Sequence, residues 1–246
     1  MRILLNADVG EGFGNYRLCD EAVLMPLIDQ ANVACGFHAG DPVVMRQSVL
    51  LALTHGVRIG AHPGYPDLQG FGRRSLAVSP GELVAQVRYQ VGALEGIVRA
   101  EGGRLDYVKP HGALYHDILR HPERFEAMLE ALAALAFDHP LGLMVMAGPA
   151  GEALDRARAE ALGVPLLFEA FADRAYGADG RLTPRDQPGA CLDDAEAVVR
   201  QVRALVRGEP LPGLGRPVRA DSLCLHGDHP RSATLAQAVR AALEPG

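Results

Sequence analysis

The stretch Y-V-K-P-H-G-A-L-Y, residues 107 to 115, holds the only lysine among the 24 lysines and arginines of the chain. Every other cationic side chain is arginine, so position 109 calls for a compact ammonium or a group that can give up its proton. Two residues on, His111 follows Pro110. Residues i and i+2 of an extended strand point the same way, so Lys109 and His111 enter one cavity. There Lys109 holds an anionic group, or serves as acid or base if its pKa is lowered. Asp8 and Glu11 sit in N-A-D-V-G-E-G-F-G, where the glycines let the backbone turn close to a ligand. The stretch lacks the G-x-x-x-x-G-K-[ST] pattern of a P-loop. His38 lies in A-C-G-F-H-A-G-D and His62 in G-A-H-P-G. A lone histidine is ordinarily a hydrogen-bonded structural residue. Facing one cavity, Asp8, His38 and His62 can instead hold a divalent cation with positions left open for water. Cys35 reads as a small buried apolar residue rather than a nucleophile. Glu169, ending the apolar run L-L-F-E, is a candidate general base, and His226 and Asp228 in C-L-H-G-D complete the set. Asp228 has the alternative of capping the last helix.

Something must bring these groups together, and short β-type runs recur along the chain, over residues 3–6, 32–35, 57–61, 107–109, 143–146, 166–169 and 223–226. Helical signals follow them. Leu83, Val84, Val87, Val91, Leu94 and Val98 recur at the 3.6-residue period, behind the capping box Ser79-Pro80-Gly81-Glu82. Asp41-Pro42 and His121-Pro122 open helices in the same manner. Further helices are expected over residues 20–29, 124–136, 152–162, 193–207 and 232–243. Strands alternating with helices make a parallel sheet. Six of the seven expected strands deliver an ionisable group at the same end. In a closed barrel those ends meet at one mouth, whereas in an open sheet they would spread along an edge. The expectation is therefore a seven-unit βα barrel, a distorted TIM-like α/β fold, with residues 1–246 as a single domain. Two long connections, over residues 62–75 and 172–186, carry Arg73, Arg74, Arg174 and Arg185 and suit a lid that clamps an anion.

Composition narrows the partners. A net charge of −6 without a basic run argues against nucleic acid. No stretch approaches the ~20 apolar residues of a membrane span. The N-terminus meets polar residues too soon for a signal peptide, and four cysteines without C-x-x-C spacing suit a reduced compartment, so the expected location is the cytoplasm.

Taken in order, N-A-D-V-G-E-G-F-G, A-N-V-A-C-G-F-H-A-G-D-P, G-A-H-P-G-Y-P-D-L-Q-G-F-G-R-R, V-K-P-H-G-A-L-Y, E-A-F-A-D-R-A-Y and L-H-G-D resemble the LamB/YcsF family of lactam-utilisation proteins, which supplies the A subunit of bacterial ATP-dependent 5-oxoprolinase. The resemblance covers essentially the whole chain. One departure is Ala7, where the family usually has cysteine. The resemblance implies a barrel related to the polysaccharide deacetylases. It also implies opening of 5-oxo-L-proline to L-glutamate with ATP, in a complex with subunits B and C. Catalysis would then fall to Asp8, Lys109, His111, Glu169 and His226. Asn6, Glu11, Arg73, Arg74, Asp173, Arg174, Arg185 and Asp228 would contact substrate. ATP would be consumed by the complex, and a divalent metal at Asp8, His38 and His62 remains an expectation. The alternatives are a free-standing metal-dependent amidase or deacetylase, and a non-catalytic subunit that binds 5-oxoproline or holds its partners.

Overall fold

The computed structural model describes residues 3–135, 137–226 and 232–243. Seven strands form a closed, all-parallel barrel in sequence order, β1 (Leu4–Val9), β2 (Gln30–Ala34), β3 (Arg58–His62), β4 (Leu105–Val108), β5 (Gly142–Met146), β6 (Leu166–Phe171) and β7 (Ser222–Leu225), with β7 pairing back onto β1. Register fixes which residues share a layer. Asn6 pairs with Gln30 and Cys224, Asp8 with Asn32, and Asn32 with Gly60.

The helices pack outside: α1 (Glu21–Leu24), α2 (Pro42–Thr54), α3 (Pro80–Ala100), α4 (Gly112–Ile118), α5 (Pro122–Ala133), α6 (Pro149–Glu152), α7 (Arg156–Ala161), α8 (Ala195–Arg207) and α9 (Ser232–Leu243). Their starts follow from local chemistry. Ser79 and Glu82 exchange the two bonds of a capping box at α3. The Asp41 carboxylate accepts from the Val43 and Val44 amides ahead of Pro42 at α2. The expected apolar stripe of α3 is buried, with Val87, Val91, Leu94 and Val98 at 0 % exposure. Burying each such side chain is worth ~1.5–3 kcal/mol, so the helix is held by packing against the sheet.

Three expected boundaries differ, and one helix is unforeseen. The helix placed over 20–29 is a four-residue turn continued by a 3₁₀ segment, Met25–Leu27, because Pro26 supplies no N–H to carry an α-helix onward. The helix placed over 152–162 is two short pieces, and the second starts only where Asp155 caps the Arg158 amide. The helix placed over 124–136 begins at Pro122 and ends at Ala133. An unforeseen helix, α4, follows closely on Lys109.

The outward faces of the strands are apolar (Leu5, Ala7 and Val9 on β1, Ala31 and Val33 on β2) and meet the helices. The inward faces are polar. Branched apolar layers ordinarily fill a parallel barrel; here Asn6, Gln30, Asn32, Tyr107, Glu169 and Ser222 are buried at one end of the interior. Each finds partners. Asn32 donates to Asn6 Oδ1 and Asp8 Oδ1, both at 2.8 Å, and accepts from the Tyr107 hydroxyl at 2.6 Å. Asn6 donates to Ser222 Oγ at 2.7 Å, and Ser222 donates to Gln30.

Candidate functional site

The polar interior opens at the carboxyl ends of the strands into a cavity of about 270 Å³. Its floor is Asp8 and Lys109, and His62, His111 and His226 stand around them. Arg73, Arg120, Arg174 and Arg185 line the upper wall. A larger cleft of about 1010 Å³ lies between the 12–22 loop and α2 and shares Glu11 with the mouth. It is lined by no histidine or lysine, whereas the smaller cavity gathers Asp8, Lys109 and three histidines.

Lys109 is 3 % exposed. Its Nζ lies 3.1 Å from Asp8 Oδ1, 3.2 Å from Glu169 Oε2, 3.2 Å from Asn6 Oδ1 and 3.1 Å from Cys224 Sγ. Burial works against the ammonium, but the Asp8 and Glu169 carboxylates outweigh it and hold the Lys109 pKa well above its usual value. Lys109 is thus a fixed cation, and proton donation at neutral pH is closed to it. Burial likewise opposes ionisation of Asp8, yet His62 and Lys109 hold its carboxyl well below the usual range. The two form a desolvated ion pair at the cavity floor.

Glu169 is fully buried behind Lys109 and forms no part of the cavity wall. From there it reaches Lys109 and Asn6. His226 stands in the wall with its Nδ1 3.0 Å from Asp173 Oδ1, and its backbone amide donates to Asp173 Oδ2 at 3.1 Å. Burial opposes ionisation of Asp173, but His226 holds its carboxyl below the ordinary range. The pair is a carboxylate-oriented imidazole whose remaining nitrogen is available to the cavity.

His62, His111, His38 and Glu11 form a second group beside Asp8. Their ligating atoms all lie within 4.8 Å of one another and all four residues are buried, a constellation able to hold a metal ion. His38 and His111 stack with centroids 3.7 Å apart, and burial pushes both their pKa values well below the usual range. The loop between β3 and α3 closes over them. Gly72, at φ +62°, passes so near that a Cβ there would lie 2.7 Å from His38 Cβ and 2.8 Å from His111 Cδ2. Phe71 takes the left-handed conformation at φ 53°, unusual for a bulky residue, and its carbonyl accepts from His111 Nε2 at 2.8 Å.

The expected metal set of Asp8, His38 and His62 is divided between two constellations. His38 and His62 belong with Glu11 and His111, while the second constellation joins Asp8 to Cys224 and His226. Asp8 remains a neighbour, its Oδ2 3.5 Å from His62 Nε2. Arg73 and Arg185 are exposed at the rim, and Arg174 is buried with its guanidinium donating to the Ala190 and Thr183 carbonyls, which ties the 172–194 loop across the mouth. Arg74 pairs with Asp67 and lies outside the cavity wall. Asp228 falls outside the described residues. Burial pushes the Cys35 thiol up to about 12, so it stays protonated and inert. Residues that sequence reasoning missed are Asn32, Tyr107, His116 and Arg120. Asn32 carries a signal, being a buried-strand polar residue in register with Asp8.

The LamB/YcsF family model matches residues 3–246 of the chain. The chain is 54 % identical over 244 residues to the 5-oxoprolinase A subunit of Chromohalobacter salexigens, covering 98 % of this chain and 96 % of that one. It is 53 % identical over 246 residues to 5-oxoprolinase A subunit 3 of Pseudomonas aeruginosa, covering 99 % and 97 %. The crystal structure of the lactam utilization protein from Thermus thermophilus superposes with a TM-score of 0.87 at 43 % identity, covering 99 % of this chain and 96 % of that one. Among the described residues no helix is long and apolar enough to cross a membrane.

Proposed function

Because the chain belongs to the LamB/YcsF family, we propose that it is a 5-oxoprolinase subunit that hydrolyses the ring of 5-oxo-L-proline to L-glutamate, working with subunits B and C and consuming ATP. The observation that carries the reading is the Asp8–Lys109 ion pair at the floor of an arginine-walled cavity of about 270 Å³. Drug-sized ligands take roughly 300–1,000 Å³, so this volume suits a smaller metabolite. The arginines suit an anion, as the carboxylate of 5-oxoproline is.

A five-membered lactam resists water, and phosphorylation of its amide oxygen by ATP activates the ring carbon. The sequence carries no P-loop, and in this reading a partner holds the nucleotide and the activated lactam enters the cavity. Water then adds to the ring carbon, and the C–N bond must break before the C–O bond to phosphate; the reverse order returns the lactam. Which bond breaks is decided by who receives the proton. His226, oriented by Asp173, takes a proton from water and gives it to the departing ring nitrogen. Lys109 stabilises the negative charge that develops on oxygen. A second water removes phosphate from the acyl phosphate so formed. Asp8 and Glu169 keep Lys109 charged, and the rim arginines hold carboxylate and phosphate.

The test is glutamate release from 5-oxoproline and ATP by the co-expressed complex, with this chain present and withheld. Release should require the chain, and the purified chain alone should give negligible turnover. Equal release without it would overturn the reading. Release by the chain alone without ATP would favour a metal-dependent amidase, the alternative that the histidine constellation supports.

A further inference from the structure

Donors and acceptors around the three buried histidines do not balance, because one contact cannot be satisfied by two neutral rings. His62 Nδ1 lies 2.7 Å from the Lys109 carbonyl oxygen. A carbonyl oxygen only accepts, so this nitrogen carries the ring proton and His62 Nε2 bears a lone pair. His111 Nε2 lies 2.8 Å from the Phe71 carbonyl oxygen, so His111 Nδ1 bears a lone pair by the same reasoning. Yet His62 Nε2 and His111 Nδ1 lie 3.0 Å apart. Two lone pairs at that distance repel unless a positive centre lies between them, either an extra proton or a cation. Both rings are buried, His62 at 1 % and His111 at 4 % exposure.

Two further groups face the same spot. His38 is 1 % exposed, and neither of its ring nitrogens has a hydrogen-bond partner. A buried imidazole in that condition loses its hydration and gains no hydrogen bond in return. Glu11 Oε1 lies 3.5 Å from His38 Nε2 and 3.4 Å from His111 Nδ1. A tetrahedral centre with bonds of ~2.0–2.1 Å has donors about 3.3–3.4 Å apart along each edge. The separations of 3.0, 3.4 and 3.5 Å bracket that value. The carbonyls of Lys109 and Phe71 supply what metal-bound histidines ordinarily have, an acceptor on the far nitrogen that fixes tautomer and orientation.

We propose that Glu11, His38, His62 and His111 form a binding site for one divalent transition cation of the zinc class. Three imidazoles and a single carboxylate are the donor set of zinc and its first-row neighbours, whereas magnesium and calcium demand oxygen. The site lies beside the Asp8–Lys109 floor and goes beyond the 5-oxoprolinase reading. It rests on the donor geometry alone and holds whether or not that reading does.

The experiment uses the purified full chain, with no substrate, ATP or partner subunits, so its outcome is separable from any activity. The chain is stripped with a chelator, dialysed, and titrated with Co²⁺ while the visible d–d absorption is followed. Zn²⁺ competition and elemental analysis after gel filtration give the stoichiometry. One equivalent of Co²⁺ is expected with the intense band of a four-coordinate nitrogen–oxygen site, displaced by one equivalent of Zn²⁺. His62→Gln and His38→Gln should each weaken binding at least tenfold, while His116→Gln, outside the constellation, should leave it unchanged. The wild-type titration decides by itself should a variant fail to fold. No tight equivalent in the wild type, or unchanged binding in folded His38→Gln and His62→Gln, would overturn the site.

Discussion

Lys109→Met keeps the length of the side chain and removes its charge, and the structure fixes what that should cost. The ammonium is 3 % exposed and lies 3.1 Å from Asp8 and 3.2 Å from Glu169, themselves 6 % and 0 % exposed. Taking it away strands two carboxylates in a dry interior, and breaking a buried ion pair costs ~3–5 kcal/mol. Against a total stability of ~5–15 kcal/mol, the variant should fold but with a much lower urea midpoint. The cost lies in the abandoned charges, so neutral isosteres should offset it. Lys109→Met combined with Asp8→Asn and Glu169→Gln should recover more than half of the loss and still release no glutamate. Acidity should act in the same direction. The Asp8 carboxyl is held below its unfolded value, so its contribution is present above ~3.9 and is lost as pH falls through the folded value. Without Lys109 that carboxyl takes up a proton more readily, and the gap between wild type and variant should narrow from pH 7 to pH 5. Urea melts at both pH values measure this. A loss below ~1 kcal/mol at pH 7, or a triple variant less stable than Lys109→Met, would refute the account of Lys109 as a cation trapped between two buried anions. Lys109→Arg tests shape instead: four partners at 3.1–3.2 Å surround Nζ, leaving no room for a planar guanidinium, and activity should fall at least tenfold.

Burial, then the charges of Arg120 and Arg174, push His116 down to about 4. Its folded value lies below the unfolded one, so the stability it supports is present above ~6.5 and is lost as pH falls towards 4; His116→Gln should flatten that acid limb by ~2–3 kcal/mol, read from urea midpoints against pH. Asp173→Ala frees the His226 ring, and kcat for glutamate release by the complex should fall by about 10²-fold or more with little change in KM; an unchanged kcat would remove His226 from the proton path. Asn32→Ala leaves Asn6, Asp8 and Tyr107 each short of a partner, and the urea midpoint should record a loss of ~1–3 kcal/mol.

The barrel is legible because its signals are local and repeat. Ser79-Pro80-Gly81-Glu82 states a helix start by its own chemistry, and it appears as a capping box in the structure. Ionisable residues at the ends of successive strands required a closed sheet, and β7 does pair with β1. The misplaced elements depend on less local conditions. The segment 20–29 carries apolar residues at suitable spacing, but Pro26 interrupts the hydrogen-bond ladder and only a 3₁₀ turn continues. The helix α4 goes unannounced because its start has no side-chain cap; His111 stands at the N-cap, its ring turned to Phe71 and His62.

The site is legible as a set of residues and not as a set of pairings. Spacing places Lys109 and His111 on one side of the chain, and both do line the cavity. It cannot show that they do different work. Lys109 turns to Asp8 and Glu169, while His111 turns away to His38, His62 and the Phe71 carbonyl. That divergence depends on Gly72, the close approach of the 63–79 loop, and a carbonyl contributed by a residue in the left-handed conformation. No property of residue 71 as a phenylalanine announces the last of these. The same limit explains Asp8. By residue type it belongs with His38 and His62, because a carboxylate and two imidazoles make a familiar donor set. In the barrel its register partner is Asn32 and its charge partner is Lys109, which leaves Glu11, three residues further along and just beyond the strand, to face His38. A pattern of residue types can say that a cation and a reacting amide would both be welcome at this mouth. Only the turn of the chain between Asp8 and Glu11 sets Asp8 against Lys109 and Glu11 against His38.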